Sequence, residues 1–362
     1  MHTRSKFRLL VVRLGAMGDI LHALPAVTAL RQVHPEWVID WVIEPRWRGL
    51  LSASGRNAGA TDQPSGTLNP AQPLVNGLHL AATKEWRKAP LSRSTLGGVN
   101  ALRQSIGKAN YDVALDLQGA IRSAVVAKMA GCRRVIGEAN PRETAARWLF
   151  TEQVETRGAH VIEQDVELAA AIAGDDLRPV SPRLPVDADA EAWADSRVSR
   201  ASGHTTALIN PGAGWGAKRW PVERYTAVAQ RLIEQGFRVL VNAGPGEEPL
   251  ADTIVRLAPG AAAIHCTLDQ LIAVTRRISV AIAGDTGPLH LACALGRPVV
   301  GIYGPTDPSR NGPFGTRFKV LRSPQSRRDH TRHEAPEAGL LTIQPDDVLA
   351  AVAELLAEET AP

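Results

Sequence analysis

The sequence predicts an α/β protein made of two doubly wound units, each a parallel sheet covered by helices. Short apolar runs typical of buried strands alternate with helical patterns along the chain, which is the pattern of βαβ units. The alternation restarts after a proline-rich stretch near residue 180. A chain of 362 residues is also long enough to bury two separate cores.

The first half supplies the elements of one such unit. The apolar strand FRLLVVR is followed by a helical pattern from about Asp19 to Val33 and by a second strand, WVIDWVIE. Further on, YDVALDL predicts another strand and residues 121–130 predict another helix. Residues 52–73 are rich in Gly, Pro, Ser and Asn and show no periodicity, so we expect a surface excursion there.

The proline-rich segment LRPVSPRLPVDAD, from Leu177 to Asp189, is expected to separate two domains. We therefore expect an N-terminal domain over 1–180, a linker over 181–202 and a C-terminal domain over 203–362. The last region repeats the strand–helix pattern. Its predicted strands are TTALIN, FRVLVNAG, AAIHC, ISVAIAGD and PVVGIYG. Its predicted helices run from Pro221 to Gly236, over 247–257, from a Thr267–Gln270 capping box, and through GPLHLACALG. Two such units are expected to leave a cleft at the carboxyl ends of their strands, where ligands bind in this architecture.

The charge of the chain is unevenly distributed. Residues 1–150 contain 20 Lys and Arg against 10 Asp and Glu, whereas the remainder contains 21 against 27. A basic first half indicates an anionic partner: a nucleic acid, an anionic membrane surface or a phosphorylated substrate. A solvated basic face without any ligand would give the same count. Aromatic residues make up only 4% of the chain, which argues against a nucleic-acid partner.

The sequence lacks the patterns typical of disulfide-bonded, metal-binding, secreted and membrane-spanning proteins. The three cysteines are far apart and match neither a disulfide framework nor zinc spacing. The pair Asp187 and Asp189 resembles a cation-binding D-x-D motif but lies in the proline-rich segment, so we expect no metal site and no cofactor. No signal-peptide core and no run of 18 apolar residues is present, so we expect a cytoplasmic protein.

The first informative loop follows the first strand. Gly15 and Gly18 have G-x-x-G spacing, which is not the dinucleotide fingerprint. Asp19 stands where the helix begins, so it is either a helix cap or a general base at the end of the strand. The glycines would let a bulky substrate approach the backbone.

Two loops in the second half have the composition of anion-binding turns. In NPGAGWGAKRWP, glycines around Ala213 and Gly214 can turn backbone N–H groups inward, and Lys218 adds a positive charge. A flexible turn with a solvated lysine is the alternative. In AGDTGPLHLACALG, Thr286 and Gly287 can present N–H groups at the start of a helix, with His290 one turn further on.

With these loops assembled, the sequence resembles glycosyltransferase family 9, the lipopolysaccharide heptosyltransferases, and within it the heptosyltransferase I group. The resemblance extends over nearly the whole chain and is carried by MGDILHALPA, DWVIE, EWRK, YDVALDLQGAIRSA, KRWP and GDTGPLHLACALGRPVVGIYGPTDP. It implies a GT-B fold, inversion at the anomeric carbon, no metal requirement and an ADP-heptose donor. It also implies an anionic, Kdo-lipid A-like acceptor at the cytoplasmic surface of the inner membrane.

The resemblance assigns roles to particular residues. The catalytic base falls on Asp19 and the cation for the leaving diphosphate on Lys218. The donor-binding positions are Gly18, Ala213, Gly214, Glu248 (the ribose carboxylate), Asp285, Thr286, Gly287 and His290. The acceptor-binding cations are Lys84, Arg87, Lys88 and Arg142.

Three features depart from the family pattern. Glu85 and Gln164 stand where basic residues are expected, and the excursion at 52–73 has no counterpart; all three bear on the acceptor rather than on the donor. The alternatives are a nucleotide-sugar epimerase or hydrolase on the same fold and a non-catalytic nucleotide-sugar-binding module. An epimerase has no use for a basic acceptor domain, and a binding module has no use for Asp19. We expect a monomer.

Overall fold

The computed structural model describes residues 6–54, 68–198, 205–328 and 333–360. These described residues divide into two compact units, with the boundary between Asp187 and Ala188. Most of the expected surface excursion, residues 55–67, and the end of the expected linker, residues 199–202, lie outside the described residues. No helix in the described ranges is both long and apolar enough to cross a bilayer.

The first unit is built on a parallel six-stranded sheet. Its strand order is β3-β2-β1-β4-β5-β6, and Leu9 in the central strand is in register with Ile39 and Val113 on its two sides. The strands are β1 (Arg8–Val12), β2 (Val38–Ile43), β3 (Gly77–Leu80), β4 (Val113–Asp116), β5 (Arg134–Glu138) and β6 (Glu152–Val154). The helices are α1 (Met17–Val33), α2 (Thr83–Lys88), α3 (Arg93–Lys108), α4 (Ile121–Lys128) and α5 (Val161–Ala173).

Helices cover both faces of this sheet. On one face α1 packs against α5. On the other, Leu102 and Ile106 of α3, Ala124 of α4 and Phe150 share one hydrophobic core with residues of β1, β2, β4 and β5. Short 3₁₀ turns at Pro45–Leu50 and Thr144–Leu149 complete the unit, and the second of these packs against α4.

The second unit repeats the architecture with the order β12-β11-β10-β7-β8-β9, again all parallel. Its strands are β7 (Thr206–Asn210), β8 (Arg238–Asn242), β9 (Ala262–Ile264), β10 (Val280–Gly284), β11 (Val299–Tyr303) and β12 (Phe318–Arg322). Its helices are α6 (Ala188–Arg197), α7 (Val222–Glu234), α8 (Glu248–Leu257), α9 (Leu268–Thr275), α10 (Gly287–Ala294), α11 (Pro308–Asn311) and α12 (Pro345–Thr360).

The expected fold class, two doubly wound parallel sheets, is confirmed. The Thr267–Gln270 capping box is also present: Gln270 N–H donates to Thr267 Oγ1 at 3.3 Å, and Gln270 Oε1 accepts from Thr267 N–H at 2.9 Å. Helix α7 begins after Pro221, and Gly236 adopts a left-handed φ of 85° just beyond its end, as a helix C-terminus favours.

The segment expected to be a linker contains a helix. Helix α6 lies within 181–202 and packs against α9 in the second unit. Glu191 on α6 forms ion pairs with both Arg276 and Arg277. The prolines end at Pro185, and the following ADAEAWADSR can form a helix, so the proline-rich composition predicted an irregular segment longer than the one observed.

Candidate active site

In the first unit, every sequence-predicted functional residue lies in a loop or helix that follows the carboxyl end of a strand. Asp19 follows β1, Lys84, Arg87 and Lys88 follow β3, and Arg142 follows β5. Because parallel strands bring all their carboxyl ends to one edge of the sheet, these residues lie along a single edge. We call this line of loops the carboxyl edge of the unit.

Asp19 occupies the first turn of α1 with its carboxylate held from two sides. Its Oδ2 accepts a hydrogen bond of 2.9 Å from the Ala16 N–H, and its Oδ1 lies 3.7 Å from Nη2 of Arg13. The helix-cap role considered from the sequence is therefore present. The side chain is still 40% exposed, so the carboxylate also remains open to a ligand.

Arg13 is a site residue that the sequence did not single out. Its side chain is only 8% exposed, and its Nε donates to the Asp19 carbonyl oxygen at 3.1 Å. The guanidinium therefore contacts both the backbone and the side chain of Asp19. It fixes the position of the carboxylate relative to the end of β1.

Two buried carboxyl groups, Asp116 and Asp165, lie in the electrostatic surroundings of Arg13. Burial raises the pKa of Asp116 to about 6, although backbone N–H groups, among them those of Gln118 and Gly119, stabilise its charge. Burial also raises the pKa of Asp165 to about 7, against the opposing charge of Arg13. One carboxyl oxygen of each has no hydrogen-bond partner among the described residues. Neither residue was identified from the sequence.

The expected acceptor cations extend from short elements anchored at the same edge. Buried Glu44, just after β2, accepts hydrogen bonds from the Thr83 hydroxyl and from the Lys84 N–H, the latter at 3.1 Å. Helix α2 is thereby fixed at its first turn, with the exposed side chains of Lys84, Arg87 and Lys88 in solvent. Arg142 is also exposed, and its backbone packs against Gly119.

In the second unit the structure brings together Lys218, Asp285 and His290, all predicted from the sequence. Asp285 accepts from Lys218 Nζ through Oδ2 and contacts His290 Nε2 through Oδ1 at 3.2 Å. Although burial opposes ionisation of Asp285, its hydrogen bond with His290 and the charge of Lys218 hold the pKa of this carboxyl well below its usual range. The cluster therefore contains a buried carboxylate that fixes a buried ammonium group.

The surroundings of this cluster favour an anionic ligand. The Lys218 ammonium lies 4.2 Å from the centre of the Trp215 ring. Gly287 begins α10, with Thr286 in the extended cap conformation before it. The free N–H groups of a helix start carry partial positive charge. A lysine and a helix N-terminus are thus available to the same negatively charged group.

The loop after β8 contains a second carboxylate, Glu247, that the sequence did not identify and that contacts the loop after β7. Its Oε1 accepts from the Ala213 N–H at 2.9 Å, and a Cβ atom on Gly212 would lie only 1.9 Å from its Oε2. A side chain at 212 would therefore displace the Glu247 carboxylate from its contact with Ala213. The expected ribose carboxylate, Glu248, is instead the first residue of α8. The two glutamates are adjacent, and only the fold shows which of them contacts the Ala213 loop.

The protein consists of two doubly wound units with parallel sheets, which is the architecture of GT-B type enzymes. An exposed acid follows a strand end in one unit, and a lysine–carboxylate–histidine cluster lies at strand ends in the other. Fold and site together define the class as a GT-B type group-transfer enzyme. Residues 99–340, two thirds of the chain, match the family model of glycosyltransferase family 9 (heptosyltransferase). The chain belongs to this family and is a glycosyltransferase. The enzyme class and the family expected from the sequence are confirmed.

Individual relatives agree with this assignment. The chain is 28% identical to lipopolysaccharide heptosyltransferase 1 of Escherichia coli strain K12 over 326 residues, covering 88% of this chain and 94% of that one. The solved structure of E. coli heptosyltransferase WaaC with ADP-2-deoxy-2-fluoro heptose has a TM-score of 0.74 at 24% identity, with 98% and 100% of the chains covered. A family 9 glycosyltransferase from Veillonella parvula has a TM-score of 0.77 at 20% identity, with 99% of both chains covered.

The raised pKa of Asp165 predicts a specific pH dependence of stability. The folded state keeps this proton up to about pH 7, whereas an unfolded aspartic acid releases it near pH 4. The folded state therefore binds more protons across that window, and the free energy of unfolding should fall as the pH rises through it. Asp165→Asn should remove up to about 4 kcal/mol of this fall.

Chemical denaturation of the wild type and of Asp165→Asn at several pH values between 4 and 8 measures how the free energy of unfolding of each depends on pH. Asp175→Asn is the matched control, because Asp175 is an exposed carboxylate just beyond α5. Parallel pH profiles for the wild type and Asp165→Asn would show that the Asp165 carboxyl titrates normally.

Proposed function

We propose that the protein transfers a heptosyl group from ADP-heptose to an anionic, Kdo-lipid A-like acceptor of the lipopolysaccharide inner core, with inversion and without a metal ion. Membership of family 9 and the names of its heptosyltransferase relatives support the sugar and the pathway. The heptose analogue bound to E. coli WaaC supports the donor. The observation that carries the mechanism is the buried Lys218–Asp285–His290 cluster, which offers a fixed cation to a leaving diphosphate.

The proposed reaction is a single displacement. Asp19 accepts the proton of an acceptor hydroxyl while that oxygen forms a bond to the anomeric carbon. The bond between this carbon and the diphosphate oxygen breaks, and the electron pair leaves with ADP. Attack from the face opposite the diphosphate inverts the anomeric configuration. The two contacts to Asp19, from Arg13 and the Ala16 N–H, keep its carboxylate oriented for this step.

Charge that develops on the diphosphate is met by groups of the second unit. Lys218 supplies a full positive charge, and the N–H groups of Thr286 and Gly287 supply the partial charge of the α10 terminus. We assign Asp285 and His290 to holding Lys218 in place as well as to the donor site. Gly18, Ala213, Gly214 and Glu248 complete the proposed donor contacts, and the position of Glu247 adds it to this group.

The acceptor is assigned to the first unit. Lys84, Arg87, Lys88 and Arg142 are exposed cations on its carboxyl edge, and they match the carboxylates and phosphates of a Kdo-lipid A-like molecule. A lipid-linked acceptor would place the enzyme at the cytoplasmic face of the inner membrane. The monomeric state expected from the sequence remains a prediction.

Asp19→Asn should lower kcat by about 10² to 10⁴, the contribution usual for a general base. The amide keeps the size of the side chain but cannot take a proton. Donor affinity should stay within about twofold, because the base acts on the acceptor hydroxyl. Turnover assays and calorimetric titration with ADP measure the two quantities, with Asp175→Asn as the control carboxylate. Near-normal turnover in Asp19→Asn would leave this residue only its capping role.

Lys218→Met should lower kcat by about 10² to 10³ and also weaken donor binding, because the lysine charge meets the diphosphate before and during transfer. Methionine keeps an unbranched side chain of similar length and removes the ammonium charge together with its hydrogen bond to Asp285. The assay is run in EDTA, where wild-type turnover should be unchanged because no divalent ion takes part. Lys319→Ala, which removes a surface lysine paired with Glu354, is the control. Loss of wild-type activity in EDTA would contradict the metal-free mechanism.

Charge reversal at Arg87 and Lys88 together should raise the acceptor KM by about five- to tenfold, the effect of losing two exposed charge contacts. The donor KM should not change. The wild-type acceptor KM should also rise with salt, because such contacts are screened over about 8 Å at physiological ionic strength. Arg256→Glu, an exposed arginine of the second unit, is the control. If neither the charge reversal nor added salt changes the acceptor KM, the cations of α2 are solvated and do not bind the acceptor.

A further inference from the structure

Several large apolar side chains are exposed on the outer surface of the layer formed by α3, α4 and the turn at 144–149. Of the large apolar side chains that are exposed in the described part of the chain, the three most exposed are Leu91 (87%), Trp148 (74%) and Leu96 (57%). All three belong to this layer or to the loop that leads into α3. Ile121 and Val125, one helical turn apart on α4, are exposed as well.

These side chains lie in one layer of the first unit. The inner residues of α3, α4 and the 144–149 turn all enter the same hydrophobic core, so the three elements cover the same face of the sheet. The 144–149 turn packs directly against α4, so Trp148 belongs to an element adjoining the helix that carries Ile121 and Val125. We call the outward side of this layer, from Leu91 to Trp148, the outer layer surface.

The segment that forms this layer is basic. Residues 91–149 contain nine Lys and Arg and four Asp and Glu, and one of these acids, Asp116, is buried. On α4 the exposed Arg122 and Lys128 stand among Ile121 and Val125. At the 144–149 turn the Arg147 guanidinium lies 4.9 Å from the centre of the Trp148 ring. Cations and exposed apolar side chains are therefore interleaved.

We infer that the outer layer surface docks on an anionic lipid bilayer, with Trp148 and Leu91 inserted at the level of the headgroups. Cationic side chains attract anionic lipid surfaces, and interleaved apolar and aromatic side chains enter the interfacial region. The inference rests on the proposed function in that a lipid-linked acceptor requires access to a bilayer, but the surface itself is defined without reference to the acceptor cations of α2.

Charge distinguishes a bilayer from other occupants of this surface. A second copy of the chain in a two-fold dimer would bring the same basic surface against itself, and like charges would repel. A nucleic acid would match the charge, but exposed leucine, isoleucine and valine side chains contribute nothing to base stacking. An anionic bilayer matches both the charge and the apolar side chains.

Vesicle binding by the full chain, without donor or acceptor, tests the inference. We expect binding to vesicles of phosphatidylcholine containing 40% phosphatidylglycerol, and at least tenfold weaker binding to pure phosphatidylcholine. Leu91→Ser combined with Trp148→Ser should weaken binding to the anionic vesicles at least tenfold. Phe318→Ser, which removes an exposed aromatic side chain from the second unit, should leave it unchanged.

Because the substituted side chains are exposed, the variants should keep the wild-type melting temperature and the wild-type turnover with an acceptor stripped of its acyl chains. That turnover assay separates the proposal of heptosyl transfer from the proposal of bilayer docking. A protein that binds vesicles but transfers no heptose would contradict the proposed function and leave the docking surface standing. Equal binding of the wild type and the Leu91/Trp148 variant overturns the docking surface. The docking surface is also overturned if the wild type does not bind the vesicles but self-associates, and if replacing Trp148 abolishes that self-association.

Discussion

All strands of both sheets run parallel, and this constraint determines where polar chemistry can be placed. A parallel strand is followed by a crossover helix, so each strand end opens into a loop on the same edge of the sheet. The central strands β1, β7 and β10 are almost wholly apolar and buried. Polar groups are therefore concentrated at the carboxyl edges, where Asp19 stands in one unit and the Lys218 cluster in the other.

Three carboxyl groups of the first unit lie near one another, and the positive charge of Arg13 stabilises their ionised forms. Asp19, Asp116 and Asp165 all interact with one another or with this guanidinium. Burial raises the pKa values of Asp116 and Asp165 against the opposing charge of Arg13, while Asp19 remains in contact with solvent. The group with the greatest exposure is then the one available to a substrate. Burial at this edge thus separates structural acids from an accessible one.

The sequence predicted features that depend on neighbouring residues and failed where distant contacts decide. The strand–glycine–helix pattern before Asp19 and the DTGPLH turn are local, and both were placed correctly on the fold. Arg13 and Asp165 are separated by about 150 residues of sequence, and no local pattern connects them. The choice between Glu247 and Glu248 depends on which side chain reaches Ala213, a contact made across more than 30 residues. Helix α6 was missed because preceding prolines dominated the composition.

The Lys218 cluster also shows how a cation can be kept ready inside a protein. The Lys218 side chain is only 11% exposed, and a buried charge without a partner would be strongly destabilising. Asp285 provides that partner but also weakens the field that a diphosphate would experience. The N-terminus of α10 offsets this loss, because its N–H groups attract an anion without needing a counterion. Leaving-group stabilisation is then shared among coupled groups, so the effects of removing Lys218, Asp285 or His290 should not add when the substitutions are combined.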